Sequence, residues 1–251
     1  MNQFFSLSRF GRLLRKHTTE NLASYALGAA VLLGGMLVVL GFVSYVGGGV
    51  SHAGQAVLFI LFLMGAGSFF TSTVLGQFGS GSRAALALTL PASQFEKYLA
   101  AWLFSLPVFL VVFVADFYLA DWLVLSLSPG NETLLNVFGD AEIVITVGTV
   151  FLVLHGVALY GSIFFRQYQF IKTAFVFFLA TAVLVFVNYQ VMKGVIGPEF
   201  KMATPLGSVN LLNGPSVNLT TEQARPILLP LLALLPLLWL AAYARLTEKQ
   251  L

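Results

Sequence analysis

Long apolar runs separated by short polar breaks repeat six times along this chain of 251 residues, as Leu22–Val46, Gln55–Leu75, Leu99–Leu123, Ile143–Phe165, Phe170–Met192 and Pro226–Arg245. A helix rises about 1.5 Å per residue, so roughly 20 apolar residues cross a hydrocarbon core ~30 Å thick. Each run meets that length. The pattern predicts an all-α polytopic membrane protein with six transmembrane helices in one domain over residues 1–251.

Ahead of the first run the periodicity changes. Phe4, Leu7, Phe10, Leu13 and Leu14 fall on one half of a helical wheel and Arg9, Arg12, Arg15 and Lys16 on the other. That division predicts an amphipathic interfacial helix over residues 1–20, with Thr18, Thr19 and Asn21 as a break before the first span. Within that span, Ser24/Gly28 and Ala30/Gly34 place small residues four apart, which permits close helix approach, inside the chain or at a homodimer seam.

Local signals refine the other spans. Ser93 and Glu96 have capping-box spacing and predict a helix starting at Gln94 and running into span three. Pro107 lies mid-span and frees the carbonyl of Leu103, predicting a kink. Trp102 and Trp122 are about 30 Å of helix apart and suit two interfacial belts, which puts Asp121 at the outer boundary and Asp116 about 9 Å inside it. In span six Pro226 falls in the first turn, whereas Pro230 and Pro236 lie further in and should bend the helix. Gly and Pro punctuate Lys193–Arg225 and predict short turns or re-entrant pieces.

Charge orients the pattern. With the N-terminus cytoplasmic, Arg9, Arg12, Arg15, Lys16, Arg83, Lys97, Arg166, Lys172, Arg245 and Lys249 lie inside and only Lys193, Lys201 and Arg225 outside. The positive-inside rule therefore predicts that both termini are cytoplasmic; the membrane expected is a cell inner (plasma) membrane. Composition agrees: 58% of residues are hydrophobic and 9% charged, and the mean hydropathy is +0.90, far from a soluble balance. The cations sit at span ends, so the net charge of +3 points to membrane orientation and not to nucleic acid. The first long apolar run starts at Leu22 with no A-x-A site before it, so it reads as a span and not as a cleaved signal.

Candidate chemistry is sparse. The chain has no cysteine, which removes disulfides and thiolate chemistry. Asp116, His155 and Asn188 are the best polar candidates inside the spans, and Asp116 with His155 is the one pair to weigh for proton transfer. His17 and His52 lie at opposite ends of the first crossing, so no metal cluster is expected. Gly79-Ser80-Gly81 lacks the G-x-S-G order of an intramembrane serine protease, and Ser80 and His155 lie at different depths. No G-x-x-x-x-G-K-[ST] loop is present, so no ATP site, cofactor or catalytic activity is expected in this chain.

The segment Leu88-Thr89-Leu90-Pro91-Ala92-Ser93-Gln94-Phe95-Glu96-Lys97-Tyr98-Leu99 resembles the loop joining spans two and three in ABC transporter permeases of the type-2 exporter class. The six-span layout, the amphipathic N-terminal helix, the long loop before the last span and the ending Ala242-Tyr243-Ala244-Arg245-Leu246-Thr247-Glu248-Lys249 are similar to that family too. The approach Gly76 to Ser82 lacks the acidic residues that many members carry. The resemblance implies a membrane subunit that pairs with an identical or similar permease and with a separate ABC ATPase. By it, Arg83 to Leu90 would form the coupling helix, with Arg83, Leu86, Leu90, Pro91, Glu96 and Lys97 as ATPase-coupling residues. The alternatives from the residues alone are a proton-coupled secondary transporter using Asp116 and His155, and a non-transporting membrane scaffold or assembly factor.

Overall fold

The computed structural model describes residues 5–74, 92–128, 133–197, 200–203, 209–211 and 221–248, with backbone alone at 142, 200, 203 and 221–231. Its helices are α1 (Leu7–Gly47), α2 (His52–Val74), α3 (Gln94–Leu127), α4 (Ala141–Phe164), α5 (Gln169–Ile196) and α6 (Thr221–Glu248). Five of them, α1 to α5, are long and apolar enough to cross a membrane. This is an all-α membrane protein. The 28-residue α6 packs against α4 and is about 42 Å long.

Where the sequence predicts a break after the amphipathic segment, α1 is one helix of 41 residues, about 61 Å long. Thr18 Oγ1 donates to Leu14 O, Thr19 Oγ1 to Lys16 O and Asn21 Nδ2 to His17 O. Back-bonding onto the helix's own carbonyls keeps these residues inside it, where the same side chains otherwise cap. The amphipathic division persists, because Phe10 is buried while Arg12, Arg15 and Lys16 are exposed. Arg9 leaves the basic face and turns inward.

α1 and α3 run parallel and touch along their whole length. Ser6 and Arg9 meet Glu96, His17 and Tyr25 meet Phe104, and Ser44 meets Ser128. Behind this pair stand α2 and α4, with Met36, Leu40, Phe59, Leu63, Phe113 and Phe117 buried between the layers. A second core of Tyr98, Leu159, Ile163, Ala242 and Leu246 joins α3, α4 and α6. α5 is peripheral: Phe175, Leu179, Val183 and Phe186 all face outward, as a lipid-facing helix requires.

The N-terminal ends of α1, α3 and α5 and the C-terminal ends of α4 and α6 lie together. Phe95 packs on Phe5 and Tyr243, Arg245 lies over Phe164, and Lys172 over Phe165. Arg9, Lys97, Lys172 and Arg245 thus gather at one end of the bundle. At the opposite end, α5 runs on to Ile196 and is followed by a two-stranded antiparallel sheet, β1 (Phe200–Ala203) with β2 (Val209–Leu211). Short turns or re-entrant pieces are expected there; a two-stranded sheet is found among the described residues. Its strands are only four and three residues long, too short for a clear alternation signal.

α6 starts at Thr221, which moves Pro226 from the first turn to the second, and helix continues through Pro230 and Pro236. Trp122 is exposed as an interfacial residue should be, but Trp102 packs edge-on against Trp239 at 5.5 Å.

Small residues separate into two kinds. A Cβ on Gly67 would lie 2.5 Å from Phe151 Cε2, so α2 and α4 approach too closely there for any side chain. By contrast, Gly28 and Gly34 of α1 have nothing within 4 Å, and the small-residue face of α1 is not used for packing among the described residues. Gly67→Val should destabilise the purified protein by about 1–3 kcal/mol through overpacking, whereas Gly28→Val should stay within ~0.5 kcal/mol of wild type. Melting midpoints in detergent read both.

Candidate functional site

The most organised polar site lies where α1 and α3 begin. Ser93 adopts extended geometry and its Oγ accepts from Glu96 N at 3.1 Å, while Glu96 Oε2 accepts from Ser93 N at 2.9 Å. This is the predicted capping box, and the helix starts at Gln94 as expected. The other carboxylate oxygen was not legible in the sequence. Oε1 accepts from Ser6 N at 2.7 Å and from Arg9 Nη2 at 3.1 Å.

Ser6 is the N-cap of α1, and its own side chain makes no capping bond. One carboxylate therefore supplies the missing acceptor at two helix starts, where exposed N–H groups and the macrodipole both favour negative charge. Glu96 is fully buried, and Arg9 has 31% of its side chain exposed. Burial pushes the Glu96 carboxyl upward, but the N–H groups of Ser93 and Ser6 and the Arg9 guanidinium outweigh it and hold the pKa below 4.5. Neighbouring Lys97 is buried too, and burial pushes its ammonium below the ordinary lysine value. The α3 start is braced on its other flank by Tyr98, whose hydroxyl donates to Trp239 O at 2.9 Å. Arg83, Leu86, Leu90 and Pro91 lie outside the described residues, so of the expected coupling set only Glu96 and Lys97 are placed.

Ten residues further along, Phe104–Val108 forms a π-helical turn around Pro107, in which Phe109 N–H reaches Phe104 O. Where a kink is expected the structure has a π-helical turn, because proline cannot donate to Leu103 O and a wider turn re-pairs the neighbouring groups. His155 of α4 fits against this turn. Trp239 Nε1 donates to its Nδ1 at 3.3 Å, and its Nε2 lies 2.9 Å from Ser105 Oγ. An indole N–H only donates, so Nδ1 must accept and Nε2 must carry the proton. His155 then donates to Ser105, which donates to Trp102 O at 3.3 Å.

Every polar atom of His155 is engaged in its neutral form. Asp116 lies about 16 Å of helix beyond Ser105, is half-buried, and its Oδ2 has no partner among the described residues. The structure does not bring Asp116 and His155 into one relay. Asn188 is half-buried near the far end of α5. Among the described residues no group of three His, Cys, Asp or Glu could hold a metal ion.

At the opposite end, the segment 133–140 folds back between the helices. Gln55 Nε2 donates to Thr133 O, Asp121 Oδ2 accepts from Leu135 N, and Tyr118 Oη accepts from Val137 N. Asp121 is therefore buried as an anchor for this segment and does not face headgroups. Beneath the segment, α2, α3 and α4 line a half-open apolar cavity of about 370 Å³.

No family model matches the chain, and neither curated proteins nor solved structures show a significant match to it. The site must be read from its own geometry. Its chemistry is binding and positioning: a charge-assisted clamp between two helices, with a neutral hydrogen-bond relay higher up that holds α3, α4 and α6 together.

The clamp carries a pH signature. Folding lowers the Glu96 pKa, so its contribution is complete above the unfolded value of 4.5 and is lost as pH falls through the folded value. Glu96→Gln should cost about 1.5–3 kcal/mol at neutral pH, the range for hydrogen bonds to a charged group. Its melting midpoint should also fall less steeply than wild type's as pH is lowered from 6 to about 3.

Proposed function

We propose that this chain is the membrane-spanning subunit of an ATP-driven exporter, with six crossings, both termini cytoplasmic in a plasma membrane, and a separate ABC ATPase as its engine. The observation that carries this reading is the Glu96 clamp. It ties α1 and α3 together just after Arg83 to Leu90, the stretch that the family resemblance makes the coupling helix. A displacement delivered at Arg83 to Pro91 would reach Ser93 and Glu96 first. Because Glu96 also holds Ser6 and Arg9, α1 would move with α3 as a parallel pair.

The π turn at Phe104–Val108 lies one helical segment beyond the clamp and supplies a place for that motion to bend. Rocking of helix groups about such a point is one of the standard routes between two access states. The positive-inside distribution supports the orientation. The unpacked face of α1 around Gly28 and Gly34 supports a second membrane subunit, identical or similar, at that side.

The test is biochemical. Purified alone, the chain should hydrolyse no ATP, and affinity purification from its native host should recover a soluble ATPase. Combining Arg83→Ala with Leu90→Ala should reduce recovery at least about tenfold, equivalent to ~1.4 kcal/mol of association, while the melting midpoint stays unchanged. Full recovery of the ATPase with the double variant would remove the coupling assignment. Recovery of none with the wild type would remove the exporter reading.

A further inference from the structure

The cavity under residues 133–140 is a wedge. Phe151, which lines it, also packs against Gly67 of α2, and the space is half open to the outside. Its roof is the segment pinned by Gln55, Tyr118 and Asp121. From Ile143 to Leu152 the cavity follows α4 for about 14 Å, and it measures about 370 Å³.

The lining is apolar except for Asn136 and Asp140, which both belong to the roof segment. Water has no partners deeper in, and a buried water needs two to four of them (about three on average). The size falls within the range of small-ligand sites, about 300–1,000 Å³. Gly148 faces this space and has nothing within 4 Å of where its Cβ would lie, so the chain leaves room that an ordinary residue would fill.

We propose that this wedge is a binding site for one hydrocarbon chain of a bilayer phospholipid, inserted along α2 and α4 with its headgroup beside Asn136 and Asp140. A free fatty acid fits the same apolar space, but its carboxylate would come beside the Asp140 carboxylate, and like charges at that range repel. A phosphatidylethanolamine carries a phosphate as well, but its ammonium can pair with the Asp140 carboxylate, which a fatty acid cannot do. The site is independent of the exporter reading, because nothing in its geometry involves ATP or the Glu96 clamp.

The experiment uses full-length protein reconstituted in phosphatidylethanolamine doped with a phosphatidylethanolamine carrying a photoactivatable diazirine on one acyl chain, followed by peptide mapping. Labelling should concentrate on Leu63, Val147 and Phe151. Gly148→Leu fills the space, and Gly65→Leu is its control, since Gly65 is exposed and also has nothing within 4 Å. Gly148→Leu should cut cavity labelling by roughly tenfold, the equivalent of one decade in occupancy, with an unchanged or raised melting midpoint, and Gly65→Leu should leave labelling intact. Should Gly148→Leu fail to fold, Val144→Phe reads the same loss.

Labelling spread evenly over outward-facing Phe175, Val183 and Phe186 without enrichment in the wedge would overturn the proposal. So would equal wedge labelling in Gly148→Leu and Gly65→Leu. Stronger wedge labelling by diazirine-palmitate than by the phospholipid would overturn the assigned source.

Discussion

Two parallel helices bring two positive dipole ends side by side, and the carboxylate of Glu96 is what makes that arrangement sustainable at the start of α1 and α3. Each helix N-terminus carries about half an elementary charge, so a single buried anion offsets both. Arg9 closes the site from the α1 side. With this joint in place, the remaining contacts of the pair follow in register, from His17 and Tyr25 at Phe104 to Ser44 at Ser128. The bundle is thus held at one end by charge and along its length by packing.

The membrane interior offers helices no hydrophobic reward for associating, so van der Waals fit and buried hydrogen bonds must do that task. Both are visible here. Gly67 lets α2 and α4 approach until Phe151 fills the groove, and His155 links Ser105 of α3 to Trp239 of α6. The π turn beneath Ser105 is the one irregularity in α3, and the histidine network sits on it. The joint, the turn and the wedge then lie in sequence along the bundle, from the basic end to the opposite one.

Much of this was legible in the residues. Apolar run lengths gave the helices, Ser93 and Glu96 gave the start of α3 to the residue, and Pro107 marked the irregular turn. What escaped depended on neighbours distant in the chain. A capping box uses one oxygen of its glutamate, and nothing local says that the second oxygen holds a helix 90 residues earlier. Thr18, Thr19 and Asn21 read equally as caps or as back-bonded helix residues until the partner helix decides. The contact of Trp102 with Trp239 could not be read locally, because Trp239 lies on the last helix. The wedge is lined by α2, α3, α4 and the segment 135–140 together, which no single-helix periodicity encodes.

The central claim is that Arg9 and Glu96 act as one unit joining α1 to α3. A double-mutant cycle on thermal or denaturant stability measures this directly, with Arg9→Met, Glu96→Gln and the combined variant in the same detergent at neutral pH. The expected coupling energy is about 1–3 kcal/mol, as for residues sharing one hydrogen-bonded network. A coupling within ~0.3 kcal/mol of zero, the additivity of independent sites, would contradict the joint and the lever built on it.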